Sequence, residues 1–141
     1  MKPILLLPAL LVLGVAVGSG SAFATAMLRG PQSAGPAQDN AFVPTGSVLA
    51  PLVLEDGRLA GYTSFEVELQ VPADKAEFVT ARMPLLLHAI NLRTFRSPLA
   101  SGPDGMLPNI EQFRAVVMSA APEAFGEGMV RHVAITQANP A

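Results

Sequence analysis

The sequence predicts an α+β domain of order β-β-α-α-β with an antiparallel sheet, preceded by a single transmembrane helix. Two observations predict the domain. The stretch Thr63–Val71 alternates strictly between apolar and polar residues, and a later stretch beginning at Ile110 repeats its apolar residues every three to four positions. A third observation predicts the transmembrane helix, because the run from Ile4 to Leu28 contains no charged residue. A sheet of antiparallel strands with its helices gathered together is typical of an α+β fold.

The N-terminal run is long enough to cross a membrane. At about 1.5 Å per residue, a helix from Ile4 to Leu28 exceeds the roughly 30 Å thickness of the hydrocarbon layer. Lys2 precedes this run and Arg29 follows it, so both cations would remain in water. The positive-inside rule then places the N-terminus in the cytoplasm and the rest of the chain outside it. We therefore expect residues 1–29 to form an anchor in membrane lipid.

A cleaved signal peptide is the alternative interpretation of the same run. Lys2, the apolar stretch Ile4–Val17 and the small-residue site Ala22-Phe23-Ala24 supply the three parts that a signal peptide needs. The uncharged run nevertheless continues past this site to Leu28, which favours an anchor. If the segment is removed, the remaining chain is a soluble binding or carrier domain.

Small residues recur at every fourth position of the run and would form one face of a helix. Such a face lets a second helix approach closely within a membrane and favours self-association. The alternative is that small residues simply crowd the end of a signal sequence. The residues concerned are Gly14, Gly18, Ala22 and Ala26.

Composition limits what the rest of the chain can be. Residues 30–41 read GPQSAGPAQDNA and contain too few apolar side chains to fold, so they predict a flexible linker. The remaining residues 42–141 suffice for one domain with one modest core. The net charge of −2 argues against nucleic acid as a partner, and the lack of cysteine excludes a disulfide framework and thiolate chemistry.

The first two strands form a predicted hairpin. The stretch Val48–Leu54 is apolar and partly β-branched, and Glu55-Asp56-Gly57 supplies the turn that follows it. In the second strand, Thr63–Val71, the alternation predicts one buried face and one solvated face. The residues expected on the buried face are Thr63, Phe65, Val67, Leu69 and Val71.

A long helical segment follows these strands. Asp74, with Glu77 three positions later, predicts a capping box that starts a helix running to about Phe95. Pro84 interrupts it, which predicts either a kink or two successive helices. Beyond Pro84 the apolar residues surround most of the helix, so we expect it to be buried on more than one side. A basic stripe on this segment is interpreted first as a solvated face; its members are Lys75, Arg82, Arg93 and Arg96.

The C-terminal part contains a loop, a helix and a strand. The proline- and glycine-rich stretch 97–108 predicts a surface loop, with a turn at Asp104-Gly105. The apolar residues from Ile110 predict a helix that ends at Gly126, and residues 129–137 alternate again as a third strand.

Catalytic and metal-binding chemistry has little support in the sequence. His88 and His132 are the only imidazoles, and neither has a second ligand at zinc-site spacing. Each is interpreted as a structural histidine with a hydrogen bond, and a hydrolase that pairs His88 with Asp104 is the weakest alternative. We expect no catalytic residue, no metal and no cofactor.

The layout of the chain resembles the FliL family of flagellar basal-body proteins, especially its short alphaproteobacterial members. The matching parts are a glycine-punctuated span, a low-complexity linker and a domain that opens with Phe42-Val43. A strand of alternating Glu and Leu residues follows, here Phe65-Glu66-Val67-Glu68-Leu69, and the chain closes with a V-x-I-T strand, here Val133-Ala134-Ile135-Thr136. The resemblance implies a stomatin-like fold in the periplasm, single-pass anchoring in the bacterial inner membrane, ring-like self-assembly and association with the stator units that drive flagellar rotation.

A subunit interface is expected on the helix that follows Pro84. Replacing Leu86 and Ile90 should unfold the core, whereas replacing Leu85 and Leu92 should leave the fold intact and weaken association. The residues predicted to contribute to the interface are Leu85, Leu92, Phe95, Arg93 and Arg96.

Overall fold

The strand predicted from strict alternation lies at the centre of a three-stranded antiparallel sheet. The computed structural model describes residues 39–141, which form an α+β fold. The elements in chain order are β1 (Asn40–Val53), β2 (Leu59–Pro72), a 3₁₀ turn (Ala73–Lys75), α1 (Ala76–Ala81), α2 (Met83–Thr94), β3 (Ala100–Ser101), β4 (Leu107–Pro108), α3 (Ile110–Phe125) and β5 (His132–Pro140). The strand order of the larger sheet is β1-β2-β5.

The alternation in β2 separates a buried side of the strand from a more exposed side, as predicted. One side of the strand is buried beneath the helices, and its residues are Thr63, Phe65, Val67, Leu69 and Val71. Glu66 on the other side is exposed, and Ser64, Glu68 and Gln70 beside it are half-buried. The sheet therefore has one face packed on the core and one face that the helices leave open, as is common for antiparallel sheets.

Strand β1 is longer than predicted. It begins at Asn40, which pairs with Pro72, so the last two residues assigned to the linker belong to the sheet. The first half of β1 was not predicted because the pairing register shifts between Pro44 and Ser47, where Gly46 has a φ of 76°. The shift interrupts the alternation of side chains. The predicted turn is confirmed: Gly57 has a φ of 84°, and the Leu54 carbonyl accepts a 2.9 Å hydrogen bond from its amide.

The interruption at Pro84 separates two successive helices, one of the two outcomes predicted. Pro84 lies in the first turn of α2, where its missing N–H costs no helical hydrogen bond. The predicted capping box is wrong, because the start of α1 has no side-chain cap. Asp74 lies instead in the 3₁₀ turn, so the α-helix begins only at Ala76.

The expectation that α2 is buried on more than one side is also wrong. The helix buries one side, where it packs against α3 and β1, and leaves the opposite side in solvent. A helix in a single layer on a small sheet has neighbours on one side only, so apolar residues around its circumference do not imply burial. The buried residues of α2 are Met83, Leu86, Ala89, Ile90 and Thr94.

The predicted surface loop contains two short strands, which adds a hairpin to the predicted order β-β-α-α-β. Strands β3 and β4 pair across Ala100 and Pro108, and each is too short for a periodicity to show. Helix α3 follows as predicted, with the Asn109 side chain accepting a 3.0 Å hydrogen bond from the Gln112 amide. The helix ends at Gly126, which confirms the predicted boundary.

The core is centred on two phenylalanines from different layers. Phe65 on β2 and Phe113 on α3 are fully buried and stacked, with ring centroids 3.8 Å apart and an interplanar angle of 11°. The contact joins the central strand to the helix layer. Arg114 reinforces this junction, because its Nε donates a 3.2 Å hydrogen bond to the Val133 carbonyl of β5.

Gly105, in the turn of the β3–β4 hairpin, lies too close to the end of the main sheet for a larger residue. It has a φ of 72°, and a Cβ atom there would lie 2.7 Å from Leu54 Cδ2 and 3.2 Å from Ala60 Cβ. Gly128 has the same φ of 72° with nothing within 4 Å, so it is a matched control. We expect Gly128→Ala to lower the free energy of unfolding by about 1–2 kcal/mol through backbone strain alone.

Gly105→Ala should cost about 1 kcal/mol more than the control, because the added methyl overpacks the hairpin. Chemical denaturation of both variants measures the difference. Equal losses would show that Leu54 and Ala60 move aside freely.

The predicted membrane segment and most of the predicted linker precede the described part of the chain. The predicted anchor at residues 1–29, including Gly14, Gly18, Ala22 and Ala26, lies outside residues 39–141. Within residues 39–141, no helix has both the length and the apolar character needed to cross a bilayer.

Candidate interaction surface

Helix α2 presents an apolar ridge to solvent, formed by Leu85, Leu92 and Phe95. Their exposed fractions are 53%, 53% and 60%, which is high for large apolar side chains. The spacings of seven and three residues place them on one side of the helix, with Phe95 at its C-terminal end. The ridge is opposite the side that carries the buried Leu86 and Ile90, so the division of these residues predicted from the sequence agrees with their burial.

The two arginines predicted beside the ridge have different surroundings. Arg93 Nη2 forms a 2.9 Å salt bridge with Glu123 Oε2 on α3, and Nη1 donates a 3.1 Å hydrogen bond to the Ala89 carbonyl. Arg96 is exposed just beyond the helix, and its side chain makes no hydrogen bond or ion pair with other described residues. Arg93 therefore links α2 to α3, whereas the side chain of Arg96 is exposed to solvent.

The predicted basic stripe does not lie on one continuous helix. Lys75 lies in the 3₁₀ turn and Arg82 lies between α1 and α2, where its guanidinium is 4.5 Å from the centre of the Phe78 ring. The break at Arg82 separates the four cations into independent groups.

A shallow groove of about 300 Å³ lies beside the ridge, between α2 and the sheet. One wall comes from β1 and β2 and the other from α2; the lining residues are Ser47, Val48, Leu49, Pro51, Tyr62, Leu87, Asn91 and Phe95. Leu49 and Tyr62 are 57% and 41% exposed, and neither was among the predicted interface residues. The sequence has no signal for Leu49, because residues 48–54 contain no polar side chain and so do not alternate.

A second groove, of about 410 Å³, lies between the end of α2 and α3. Its lining includes Leu92, Arg93 and Arg96 from α2, with Val116 and Ser119 from α3. Three of the five predicted interface residues thus border one groove and the fourth, Phe95, borders the other. Leu85 lies further along the ridge.

A third groove, of about 670 Å³, lies between the β1–β2 turn and the β3–β4 hairpin. Its wall includes Asp56 and Arg58, whose side chains form a 2.7 Å ion pair in solvent. The side-chain hydrogen bond from Arg58 holds the pKa of Asp56 below its usual value. Among the described residues every buried side-chain nitrogen or oxygen has a hydrogen-bond partner.

The two histidines lie at the surface. His88 and His132 are both exposed, and neither side chain makes the expected hydrogen bond with another described residue, so the interpretation as hydrogen-bonded structural histidines is wrong. His88 is exposed because it lies on the same side of α2 as the ridge. The Asp104 carboxylate, its candidate partner, accepts a 3.1 Å hydrogen bond from the Met106 amide. Within residues 39–141, no group of three His, Cys, Asp or Glu side chains is placed to hold a metal ion.

No protein-family model matches the chain, and no curated protein matches it. The described domain has an α+β fold with an open sheet face, and it carries an exposed apolar ridge beside a groove. In folded proteins, exposed apolar patches are common at contact surfaces.

Proposed function

We propose that the chain is a non-enzymatic accessory protein of the bacterial flagellar motor. In this proposal residues 1–29 anchor it in the inner membrane, and the α+β domain lies in the periplasm with a stomatin-like arrangement. The domain associates with the stator units and supports flagellar rotation and motility. The proposal takes its motor connection from the resemblance in layout to the FliL family.

The apolar ridge is the observation that carries the proposal. Three large apolar side chains on one exposed side of a helix are costly to leave in water, and such patches usually mark contact surfaces. An accessory protein acts through contacts of this kind and requires no reaction centre. The proposal needs no cofactor.

A neighbouring copy is the proposed partner of the ridge. Leu85, Leu92 and Phe95 provide the apolar contact, Arg96 lies at its edge, and Arg93 holds α2 in place through Glu123. Self-association would be aided in the membrane by the small-residue face at Gly14, Gly18, Ala22 and Ala26.

The linker can connect an anchor to such an assembly. Residues 30–39 span at most about 3.3–3.6 Å each, so the domain would stay within a few tens of ångströms of the bilayer. A short linker keeps neighbouring domains close together, which raises their effective concentration and strengthens weak contacts between them.

Deleting the gene tests the motor connection. We expect the deletion strain to swim more slowly in soft agar, and the wild-type gene to restore swimming. A double variant, Leu85→Ser with Leu92→Ser, should restore it poorly, whereas the exposed control Glu127→Gln should restore it fully. Unchanged motility in the deletion strain would remove the flagellar proposal.

The alternative is a cleaved, soluble periplasmic binding or carrier domain. The small-residue site Ala22-Phe23-Ala24 favours it. Membrane fractionation with N-terminal sequencing separates the two proposals. We expect intact protein in the membrane fraction, and mature protein that begins at Thr25 would establish the alternative.

A further inference from the structure

The outer edge of β1 has no partner strand among the described residues. Strand β2 pairs with β1 on its inner side, and the sheet order β1-β2-β5 leaves the other side without a described strand. Backbone N–H and C=O groups on such an edge can pair with another polypeptide chain. The edge is therefore a place where an extended segment can add to the sheet.

The groove of about 300 Å³ runs across this edge. Tyr62, which lines it, is next to the buried Thr63 on β2 and so points to the open face of the sheet, whereas α2 packs on the other face. A single groove that contacts both faces has to cross the outer side of β1, because β2 occupies the inner side. None of the described residues that line the groove is charged.

The hydrogen-bond pattern shows which residues of β1 present their backbone groups to this edge. In an antiparallel ladder the N–H and C=O groups of one residue point to the same side, and successive residues alternate. The Tyr62 carbonyl accepts a 3.0 Å hydrogen bond from the Ala141 amide, which directly follows β5, so the next residue, Thr63, faces β1. Its partner Ala50 then faces β2. Alternation from Ala50 leaves three residues of this segment facing outward, which are Ser47, Leu49 and Pro51.

The opposite end of the ladder gives the same assignment. The Ala73 amide donates a 2.8 Å hydrogen bond to the Asp39 carbonyl, so alternate residues of β2 from Ala73 back to Thr63 face β1. Pro44 faces outward by the same alternation from Asp39, as does Pro51. Proline within a sheet is typical of positions whose N–H would not join the ladder. Both prolines therefore support the assignment of the outer edge.

Beside the groove, only a short part of the edge offers both donors and acceptors. Pro44 and Pro51 lack an N–H, and the ladder is interrupted at Gly46, where φ is 76°. Ser47 and Leu49, which lie between these interruptions, provide both groups. They also line the groove, so the unblocked part of the edge and the groove coincide.

The wall from α2 complements a strand at this position. Leu87, Asn91 and Phe95 are spaced four residues apart and lie on one side of the helix. Asn91 is exposed, and its carboxamide makes no hydrogen bond with another described residue. A carboxamide supplies a donor and an acceptor, so it can bond to the far edge of a strand that pairs with Ser47 and Leu49.

We infer that the groove binds an uncharged, extended peptide segment of a partner protein, which adds to the sheet as a strand beside β1. Ser47 and Leu49 bond to one edge of this strand, and the Asn91 carboxamide bonds to the other. Apolar side chains of the segment pack against Leu87 and Phe95. A groove of about 300 Å³ is at the lower limit of ligand sites, so it accommodates only a few residues of the segment.

The two walls favour a single inserted strand over a second copy of the chain. A second copy that paired through its own β1 would bring its own α2 to the contact, because α2 flanks this edge in every copy. The groove is large enough for only a few residues, whereas that copy would have to place both a strand and a helix there. The inference goes beyond the proposed function, since none of these contacts depends on a flagellar motor.

A peptide probe tests the inference on the full-length protein in detergent. We would select the probe from a displayed library of short peptides made only of uncharged residues, and then synthesise the strongest binder. We expect it to bind the wild type in the micromolar range. Failure to enrich any such peptide would overturn the inference.

Amide hydrogen exchange locates the probe on the strand edge. The Ser47 and Leu49 amides should exchange rapidly in the free protein, and at least about tenfold more slowly with saturating probe. The Val48 and Ala50 amides face β2, so the probe should leave their exchange nearly unchanged. Slowing at all of these amides, or at none of them, would overturn the inference.

Proline substitutions separate the strand edge from the rest of the surface. Leu49→Pro removes an outward N–H and leaves the bonds to β2, so it should weaken binding of the probe about tenfold or more. Phe42→Pro is the matched control, because Phe42 also faces outward but lies outside the groove. It should change the affinity by less than about twofold, as distant substitutions usually do. Equal weakening by the two variants would overturn the inference.

A change on the opposite wall gives a test that does not alter the sheet. Asn91→Ala should weaken binding of the probe about threefold or more, because it removes one hydrogen-bonding side chain. His88→Ala is its control, since His88 is exposed on the same helix but does not line the groove. Thermal unfolding of every variant checks that the fold persists. Unchanged affinity in Asn91→Ala would contradict the assigned position of the strand.

Two other occupants of the edge would give different exchange patterns in the absence of the probe. If a second copy pairs with β1, the Ser47 and Leu49 amides will be protected in the free protein, and their protection will rise with protein concentration. If residues 30–38 of the same chain occupy the edge, the protection will not depend on concentration and will be lost when those residues are deleted. Either pattern would overturn the assignment to a partner peptide.

Discussion

Replacing Phe113 with alanine is expected to lower the free energy of unfolding by about 3–5 kcal/mol. The ring is fully buried and stacks on Phe65, so the change removes a large apolar side chain and leaves a cavity between the sheet and the helices. Domains of this size have a total stability of about 5–15 kcal/mol, so this single change removes a large part of it.

Phe65→Ala should cost a similar amount, and the double variant should cost less than the sum of the two. Stacked aromatic pairs contribute about 0.5–1.5 kcal/mol beyond their burial, and a double-mutant cycle measures this coupling. Equilibrium denaturation of residues 38–141, followed by circular dichroism, provides all four free energies. Phe113→Leu is the control, because it keeps most of the volume and should cost clearly less than alanine. Strict additivity would contradict a direct contribution from stacking.

The second large effect distinguishes two sides of α2. Leu86→Ala and Ile90→Ala should each lower the free energy of unfolding by about 2–5 kcal/mol, because both side chains are fully buried. Leu85→Ala and Leu92→Ala should stay within about 0.5 kcal/mol of the wild type, because more than half of each side chain is in solvent. Leu86 and Leu85 form a closely matched pair, since they are the same residue type at neighbouring positions of one helix.

The same four variants separate folding from association. Variants at Leu85 and Leu92 should keep the thermal midpoint and reduce self-association in sedimentation experiments on the full-length protein in detergent. Variants at Leu86 and Ile90 should lower the thermal midpoint. If Leu85→Ala destabilises the domain as much as Leu86→Ala does, the ridge packs within its own domain and is not a contact surface.

The elements that the sequence predicted well are those in which one periodicity persists. The alternation of β2 places Phe65, Val67 and Leu69 on the buried side, and the repeat of α3 places Phe113 and Val117 in the core. A periodicity reports which side of an element meets the core, because side chains on the other side contact water. It does not report how far an element extends once the pattern is disturbed.

The elements that were missed depend on partners distant in the sequence. The first half of β1 forms because Pro72 and Val71 are there to pair with Asn40 and Ala41, and the bulge at Gly46 hides its alternation. The β3–β4 hairpin packs so close to Leu54 that its turn needs glycine at position 105. The local sequence does not indicate contacts between residues that are far apart along the chain.

The sequence by itself determined the fold class, the central strand, the interruption at Pro84 and the helix that begins at Ile110. Each of these follows from local rules: side-chain alternation, the missing N–H of proline and the period of a helix. Only the tertiary structure decided that Phe95 lies beside Leu49 and Tyr62, that Arg93 pairs with Glu123, and that Arg96 is exposed. These features depend on the packing of α2 against the edge of the sheet, and a surface shared by two elements exists only after both have been brought together.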